Sequence, residues 1–593
     1  MTNTNGQFQQ TAWTLEALFP AAKDPAVETA VAELEQLTAA IEARRAELAP
    51  DMPGEAFAEL LKQVEQFAAL ANRLGSYGQL WFAQDTQSQG ALAFMGRMDQ
   101  LLTDAYNRIL FFSLWWKGLE DEAANRLLEY AGDMRYSLEQ DRLFKDHTLA
   151  EPEEKIINLK DVNGVSAMVN IYDMLTSKFI FNLEVEGETK QLTRDQLMVY
   201  VRDIDPEIRE AAYQEQFRVF GQESSVLAQI YIHRVRDWAT ENLRLRHFSS
   251  PIAVRNLGND IPDPVVDTLL DVVAEQSSVF HRYFKLKAGW LNSANNKLRR
   301  YDLYAPITRT PDKKIAYAEA VDMVLDSFSQ FSPAMADSAL RVFKDGHIDS
   351  EIRPTKRGGA FCASILPNMT PYVLLNYTGE PRQVATLAHE LGHAIHSMLA
   401  ADHSVLTFHS ALPMAETASV FAEMLLTDRL LAQETDPQVR RSLLAEAVDD
   451  AYATILRQTY FVLFEREAHQ MIADGATMDD LNQKYLANLH QQFGDAVDVS
   501  EDFQREWICI PHIYHTPFYC YAYSFGQLLA LSLYQQYKQV GVEFAPKLQK
   551  ILAYGGSASP NHILTEAGID MADPNFWRGG FKVVEDMIDE LAK

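Results

Sequence analysis

Cysteine is scarce, three in 593 residues. Cys362, Cys509 and Cys520 cannot build a four-thiolate metal site or an even disulfide framework, so free buried thiols are expected. Long apolar runs are missing as well. The greasiest stretch, Ile109 to Trp116, is far too short to cross a bilayer and reads as core. The polar opening residues lack a basic start followed by an apolar run, so no secretory leader is expected and the chain reads as cytoplasmic. Positive charge is in deficit, with 53 Lys and Arg against 82 Asp and Glu and a net charge of −29. A surface this acidic repels phosphate backbones and anionic lipid, which argues against nucleic-acid and membrane partners. No Gly/Ser-rich or Pro-rich linker, low-complexity tract or fixed-period repeat divides the chain, so its parts are expected to pack as one body. What is present, 47% apolar and 23% charged residues, is the balance of a globular protein with a large core.

Residues 26–48 place Val27, Val31, Leu34, Leu37, Ile41 and Leu48 on one helical face, and residues 55–74 repeat the pattern after a Pro50 to Gly54 break. An antiparallel helical hairpin is the expected result. Helical patterning continues over about 84–145. From Lys178 to Thr193 the period drops to two, with Phe179, Phe181, Leu183 and Val185 alternating before Glu186-Gly187-Glu188. That predicts a small β-hairpin closing an N-terminal helical region, 1–193, and leaves 194–593 as a second region. Helices resume at about 194–246, and another is expected near Ile261, with Asp263 as cap and Pro264 in its first turn. An extended patch is expected near Tyr301 to Pro306. Between 345 and 377 two short apolar runs, Gly358 to Ile365 and Pro371 to Tyr377, read as strands. A strand with a free edge could hold an extended peptide by main-chain hydrogen bonds, with Gly358 and Gly359 permitting close approach. A sheet that only supports the next helix is the alternative.

That next helix, residues 380–400, carries His389-Glu390-Leu391-Gly392-His393. Pro381 suits a first helical position, and Val384, Leu387, Ala388, Leu391, Ile395, Met398 and Leu399 give a buried face. Histidines at i and i+4 lie about 40° apart around the axis and one turn apart along it, so both rings can reach one metal ion. Glu390 is rotated by about 100° from His389 and is placed to hydrogen-bond a water there rather than to ligate. A buried helix with two satisfied histidines is the plainer alternative. Gly392 argues against it, because glycine inside a helix costs about 1 kcal/mol and marks a close approach by another group.

Two histidines leave a catalytic zinc one ligand short. The position ten residues after His389 is Leu399, and His396 is one turn off, so a three-histidine pattern fails. A following helix, Met414 to Glu423, offers Glu416 and Glu423 two turns apart on an otherwise apolar segment. A carboxylate on such a face needs a strong partner, so Glu416 is expected as third ligand and Glu423 as a partner orienting an imidazole; surface glutamates are the alternative. Farther on, Pro511 to Gly526 is dense in His512, Tyr514, Tyr519 and Tyr523. A helix starting after Pro517 would put Tyr519 and Tyr523 on one face, with His512 and Tyr514 in the loop before it. Such clusters are commonly core, yet phenols and imidazoles are also the donors a developing oxyanion needs.

Taken together, Gly-Gly-Ala-Phe-Cys (358–362), Pro-Tyr-Val-Leu-Leu-Asn-Tyr (371–377), Leu-Ala-His-Glu-Leu-Gly-His-Ala (387–394), Ala-Glu-Thr-Ala-Ser-Val-Phe-Ala-Glu (415–423), Pro-His-Ile-Tyr (511–514) and Phe-Tyr-Cys-Tyr-Ala-Tyr (518–523) resemble the oligoendopeptidase F branch of the thimet oligopeptidase family of zinc metallopeptidases. The resemblance implies a mainly α, prolate multi-helix body with a deep substrate channel and a small β-sheet next to the metal helix. It implies one Zn2+ per chain on His389, His393 and Glu416, with Glu390 as general base and His512, Tyr519 and Tyr523 as transition-state donors. Region 194–593 then becomes the catalytic region, and Gly358, Gly359, Ala360 and Tyr514 the candidates for substrate contact. The expected reaction is endoproteolysis of short peptides. Release of C-terminal dipeptides from the same site, and a non-catalytic peptide-binding homologue, are the alternatives, and monomer and homodimer are both compatible with the sequence.

Overall fold

The computed structural model describes residues 8–308 and 314–593. These are overwhelmingly helical, and the strands among them form one two-residue pairing, one hairpin and one three-stranded sheet. Local chemistry explains where many helices start. Pro25–Ala43 opens with proline at its first position behind Asp24, whose side chain accepts from the Ala26 N–H at 2.9 Å. The expected helical hairpin forms from Pro25–Ala43 and Gly54–Gln84, and Gln89–Gly118 joins them. The strands Phe181–Val185 and Glu188–Leu192 pair antiparallel across Glu186 and Gly187, both at positive φ (55° and 82°), the backbone a two-residue hairpin turn requires.

Two local expectations shift. Asp263 is inside its helix, Asp263–Glu275, with no side-chain cap; its carboxylate instead accepts from the Asn256 amide at 2.8 Å. The extended patch near Tyr301 is a short 3-10 turn, Arg300–Asp302, and the strand lies just before it, where Leu298–Arg299 pairs parallel with Val497–Asp498.

Chain contacts gather into two compact units, neither of which ends at residue 193. One takes the described residues of Met1–Thr148, Asp312–Gln433 and Gln536–Asp570; the other takes Leu149–Pro311, Glu434–Gln535 and Met571–Lys593. The first unit has a core of Trp13, Phe19, Phe57, Leu74, Trp116 and Leu127, which reaches Ile365, Tyr372 and Leu374 of its sheet. In that sheet Tyr372–Leu374 is central, parallel to Ile348–Asp349 on one side and antiparallel to Phe361–Ala363 on the other. The second unit buries charge in pairs: Lys287 with Asp449 at 2.7 Å, Arg209 with Asp302 at 2.8 Å and Arg300 with Glu506 at 2.7 Å. Losing either member of such a pair strands a charge away from water. No described helix is long and apolar enough to cross a membrane, and all three cysteines are free.

Candidate metal centre

Among the described residues, the group that could hold a metal belongs to the first unit and is built on the helix Pro381–Leu399. Its start is fixed by Pro381 and by Gln383, whose side-chain oxygen accepts from the Thr378 and Gly379 N–H groups at 2.5 and 3.0 Å. Its apolar face, Val384, Leu387, Ala388, Leu391 and Ile395, is fully buried. Against it packs a second segment, Leu412–Ala415 and Thr417–Gln433, which is one continuous helix in the sequence pattern but breaks at Glu416. Gly392 sets the distance between them. A Cβ at that position would lie 2.6 Å from Ser419 Cα and 2.7 Å from the Ala418 carbonyl oxygen, so the close approach its presence predicts is made by backbone.

The two segments bring His389, His393 and Glu416 together, the metal-binding cluster of three among the described residues. His389 Nε2 and His393 Nε2 are 3.2 Å apart, and Glu416 Oε2 is 3.3 Å from the first and 3.5 Å from the second. Ligand atoms about 2.0–2.1 Å from a tetrahedral zinc are separated by roughly 3.3 Å, so this triangle matches one face of such a tetrahedron and leaves its apex open. The carboxylate is braced by Ser419, whose hydroxyl donates to Glu416 Oε2 at 2.8 Å. Glu423 hydrogen-bonds His389 Nδ1, which holds Nε2 towards the other two donors, and His393 is hydrogen-bonded to the Ala415 backbone.

Electrostatics follows from this crowding. Burial opposes charge on His389, but the Glu423 hydrogen bond and the charges of Glu423, Glu416 and Glu390 prevail and push it up to about 9. His393 goes the other way, down to about 4, through burial and the neighbouring His389 charge. Glu390 is buried, and desolvation together with the Glu416 and Glu423 charges outweighs the His389 charge and pushes it up to about 7. It lines the same cavity of about 420 Å³ as His389 and His393. Ala360 and, from the edge strand Phe361–Ala363, Phe361 and Cys362 line the same cavity. Gly358 and Gly359 precede the strand as an exposed turn, Gly359 at φ +79°, with open space where a side chain would stand. Ser364, His396, Ser397 and His409 also line the cavity, and the sequence reading assigned them no part there. Only His396 had a signal, its position one turn beyond His393.

His512, Tyr519 and Tyr523 gather in the second unit. The approach to the helix Tyr521–Val540 is a one-turn helix, Pro511–His515, where the sequence suggests a loop, and Tyr519 sits in the turn between the two. Tyr523 OH is 3.5 Å from His512 Nε2, and the Tyr519 and Tyr523 rings are 5.1 Å apart, edge to face. Burial, then the charges of Arg457, His515 and Arg194, lower His512, which is therefore neutral near pH 7. These three side chains keep part of their surface open while Ile513, Phe518, Cys520 and Tyr521 are buried. Tyr514 differs from the expectation of substrate contact. It is fully buried, stacked on Tyr172 at 4.0 Å and packed on Tyr231, and is core.

Comparison with known proteins agrees with the chemistry. The family model described as "Peptidase family M3" matches residues 199–583. Oligopeptidase PepF of Bacillus subtilis is 24% identical over 598 residues, 98% of this chain and 86% of its own length. An oligoendopeptidase F homolog of Borreliella burgdorferi is 28% identical over 78% of each chain. Among solved structures, a candidate peptidase from Chlamydophila abortus superposes with a TM-score of 0.87 at 25% identity over 98% of both chains. Oligoendopeptidase-F from Enterococcus faecium gives 0.72 at 23% identity, over 95% of this chain and 98% of its own.

Proposed function

The chain belongs to peptidase family M3 and is a metallopeptidase; from that premise we propose that it is a zinc-dependent endopeptidase of short oligopeptides, with His389, His393 and Glu416 as the metal ligands. The observation that carries the reading is the near-equilateral triangle of two imidazole nitrogens and one carboxylate oxygen, 3.2 to 3.5 Å on a side, with Glu390 beside it in one cavity. A zinc ion bound there supplies Lewis acidity and lowers the pKa of a coordinated water towards 7.

The protein's own residues do the rest. Glu423 fixes the His389 tautomer, leaving Nε2 as the ligating atom. Glu390, buried in the same cavity, accepts the proton of the attacking water and returns it to the leaving amine. The edge strand Phe361–Ala363 takes the substrate backbone in β fashion, with Gly358, Gly359 and Ala360 leaving room at its start. As the family resemblance implies, His512, Tyr519 and Tyr523 would be the hydrogen-bond donors to the oxyanion, a role that imidazole N–H and phenol O–H groups suit. The names carried by the relatives, oligopeptidase and oligoendopeptidase, support short peptides as substrates.

The test is digestion of a peptide acetylated at its N-terminus and amidated at its C-terminus, read by mass spectrometry. Internal cleavage that stops with a chelator and returns on adding zinc is expected. Cleavage only of free-acid peptides, two residues from the end, would replace the endopeptidase reading with dipeptide release.

A further inference from the structure

The second unit contains a cavity of about 230 Å³ that the reaction described above does not use. Three guanidinium groups line it. Arg194 opens the helix Arg194–Tyr200, Arg202 follows that helix, and Arg457 stands at the start of Leu456–Ala473. The carboxylate in the wall, Glu506, is already engaged: its Oε1 takes Arg300 at 2.7 Å and its Oε2 takes the Tyr485 hydroxyl at 3.2 Å. Arg457 approaches that carboxylate no closer than 3.7 Å, beyond hydrogen-bond range, so it is attracted without being satisfied. Arg194 gives one hydrogen bond to the Cys509 carbonyl at 2.5 Å, and Arg202 lies 5.0 Å over the Tyr304 ring. The wall therefore carries a surplus of positive charge.

It also carries unmet hydrogen-bonding capacity. Arg457 Nε, Tyr304 OH and Gln216 Oε1 are buried without a protein partner, and all three residues line this one cavity. A buried polar atom with no partner is costly; the Arg457 Nε–H and the Tyr304 hydroxyl are donors that an anion entering this cationic space would satisfy, whereas the Gln216 oxygen is an acceptor and takes a donor instead. The space is equivalent to roughly eight water molecules at about 30 Å³ each, enough for one carboxylate-bearing residue. Its floor, Cys509 and Ile510, leads directly into Pro511 and His512, and the charges of Arg457 and Arg194 are felt at the His512 ring.

We propose that this arginine-lined cavity, beside His512, is a specificity site that binds a carboxylate of the peptide substrate, its C-terminus or an acidic side chain. The proposal rests on His512 belonging to the reaction centre, as in the function proposed above. Planar guanidinium groups pair with carboxylates by two parallel hydrogen bonds, whereas a neutral amide offers them only one oxygen and no charge.

The experiment uses the full-length zinc-loaded protein and one peptide sequence in four forms: free acid, C-terminal amide, and the amide with Glu or Gln near the cleaved bond. Free acid over amide by about tenfold or more in kcat/KM, seen mainly in KM, identifies the C-terminus; Glu over Gln by the same margin identifies a side chain. Either ratio should collapse towards one in Arg202→Gln and in Arg457→Gln and return in part with Arg202→Lys. Arg202 is exposed, so its variant tests the site even if Arg457→Gln fails to fold. Equal cleavage of all four forms by the wild type overturns the proposal and leaves the endopeptidase reading intact. If no form is cleaved, that reading fails, and calorimetric titration with the acetylated peptide acid and amide decides the cavity separately: binding of the acid alone, lost in Arg202→Gln, sustains it, and equal or absent binding ends it.

Discussion

Glu390 differs from the histidines on either side of it in what its removal should do. It lines the cavity with them but is not part of the 3.2 to 3.5 Å triangle, so a glutamine there keeps every ligand and loses only the proton acceptor. Glu390→Gln should lower kcat by about 10²- to 10⁴-fold with one zinc still bound per chain, measured by steady-state kinetics and elemental analysis on the same sample. Near wild-type turnover would take the base role from it. Tyr523→Phe should lower kcat by about 10²- to 10³-fold with little change in KM, since an oxyanion donor acts in the transition state alone. A variant that loses only KM would make Tyr523 a substrate contact instead. At this scale the sequence was informative where chemistry is local: i,i+4 histidines share a helix face whatever surrounds them. It was uninformative for Tyr514, whose burial is decided by Tyr172 and Tyr231, more than 280 residues away in the chain.

Between helices, the decisive atom is one that is missing. The backbone at Ser419 occupies the place where a side chain on residue 392 would go, and that contact is what lets Glu416 reach both imidazoles. Gly392→Ala must push the two segments apart by several tenths of an ångström, which should cost about 1–3 kcal/mol as overpacking does. The sharper expectation is that zinc affinity falls together with Tm, because both depend on the same spacing; chelator competition and thermal unfolding measure the two. Unchanged affinity at lowered Tm would separate the helix contact from the metal site. Glycine within a buried helical pattern was legible as a close approach, although what approaches could not be read from one segment. The break at Glu416 was not legible, since Ala415 to Ala422 contains no proline or glycine and is helix-compatible on both sides of it. Short strands were seen but drawn too long, Phe361–Ala363 within the expected run from Gly358 to Ile365, because only three residues find a partner.

Over the whole molecule the chain alternates between its two compact units, returning to the first at 312 and 536 and to the second at 434 and 571, an organisation that depends on contacts hundreds of residues apart and leaves no compositional mark. The same burial that organises the units also ties stability to pH. Glu465 is fully buried; its Oε1 accepts the Phe518 N–H at 3.0 Å, its Oε2 has no partner, and desolvation outweighs that hydrogen bond and the Arg255 charge, pushing it from 4.5 up to about 8. Between those values the folded protein holds a proton that the unfolded chain has released. The contribution of Glu465 to stability is thus complete below about pH 4.5 and is lost as pH rises through 8, at no more than about 1.4 kcal/mol per pH unit. His469, buried beside Phe518 with both ring nitrogens unpartnered, is pulled by burial and the Arg234 charge from 6.5 down to about 3, so its effect has the opposite sign: stability falls as pH drops from 6.5 towards 3. Above pH 6.5 the glutamate acts alone of the two. Glu465→Gln keeps an oxygen for the Phe518 N–H and removes the titration, so its Tm relative to wild type should rise steadily from pH 6.5 to 8 and differ little below 4.5. A constant Tm offset across that range would mean that Glu465 ionises in the folded protein much as it does in the unfolded chain, and that its carboxylate is solvated by groups other than those that surround it here.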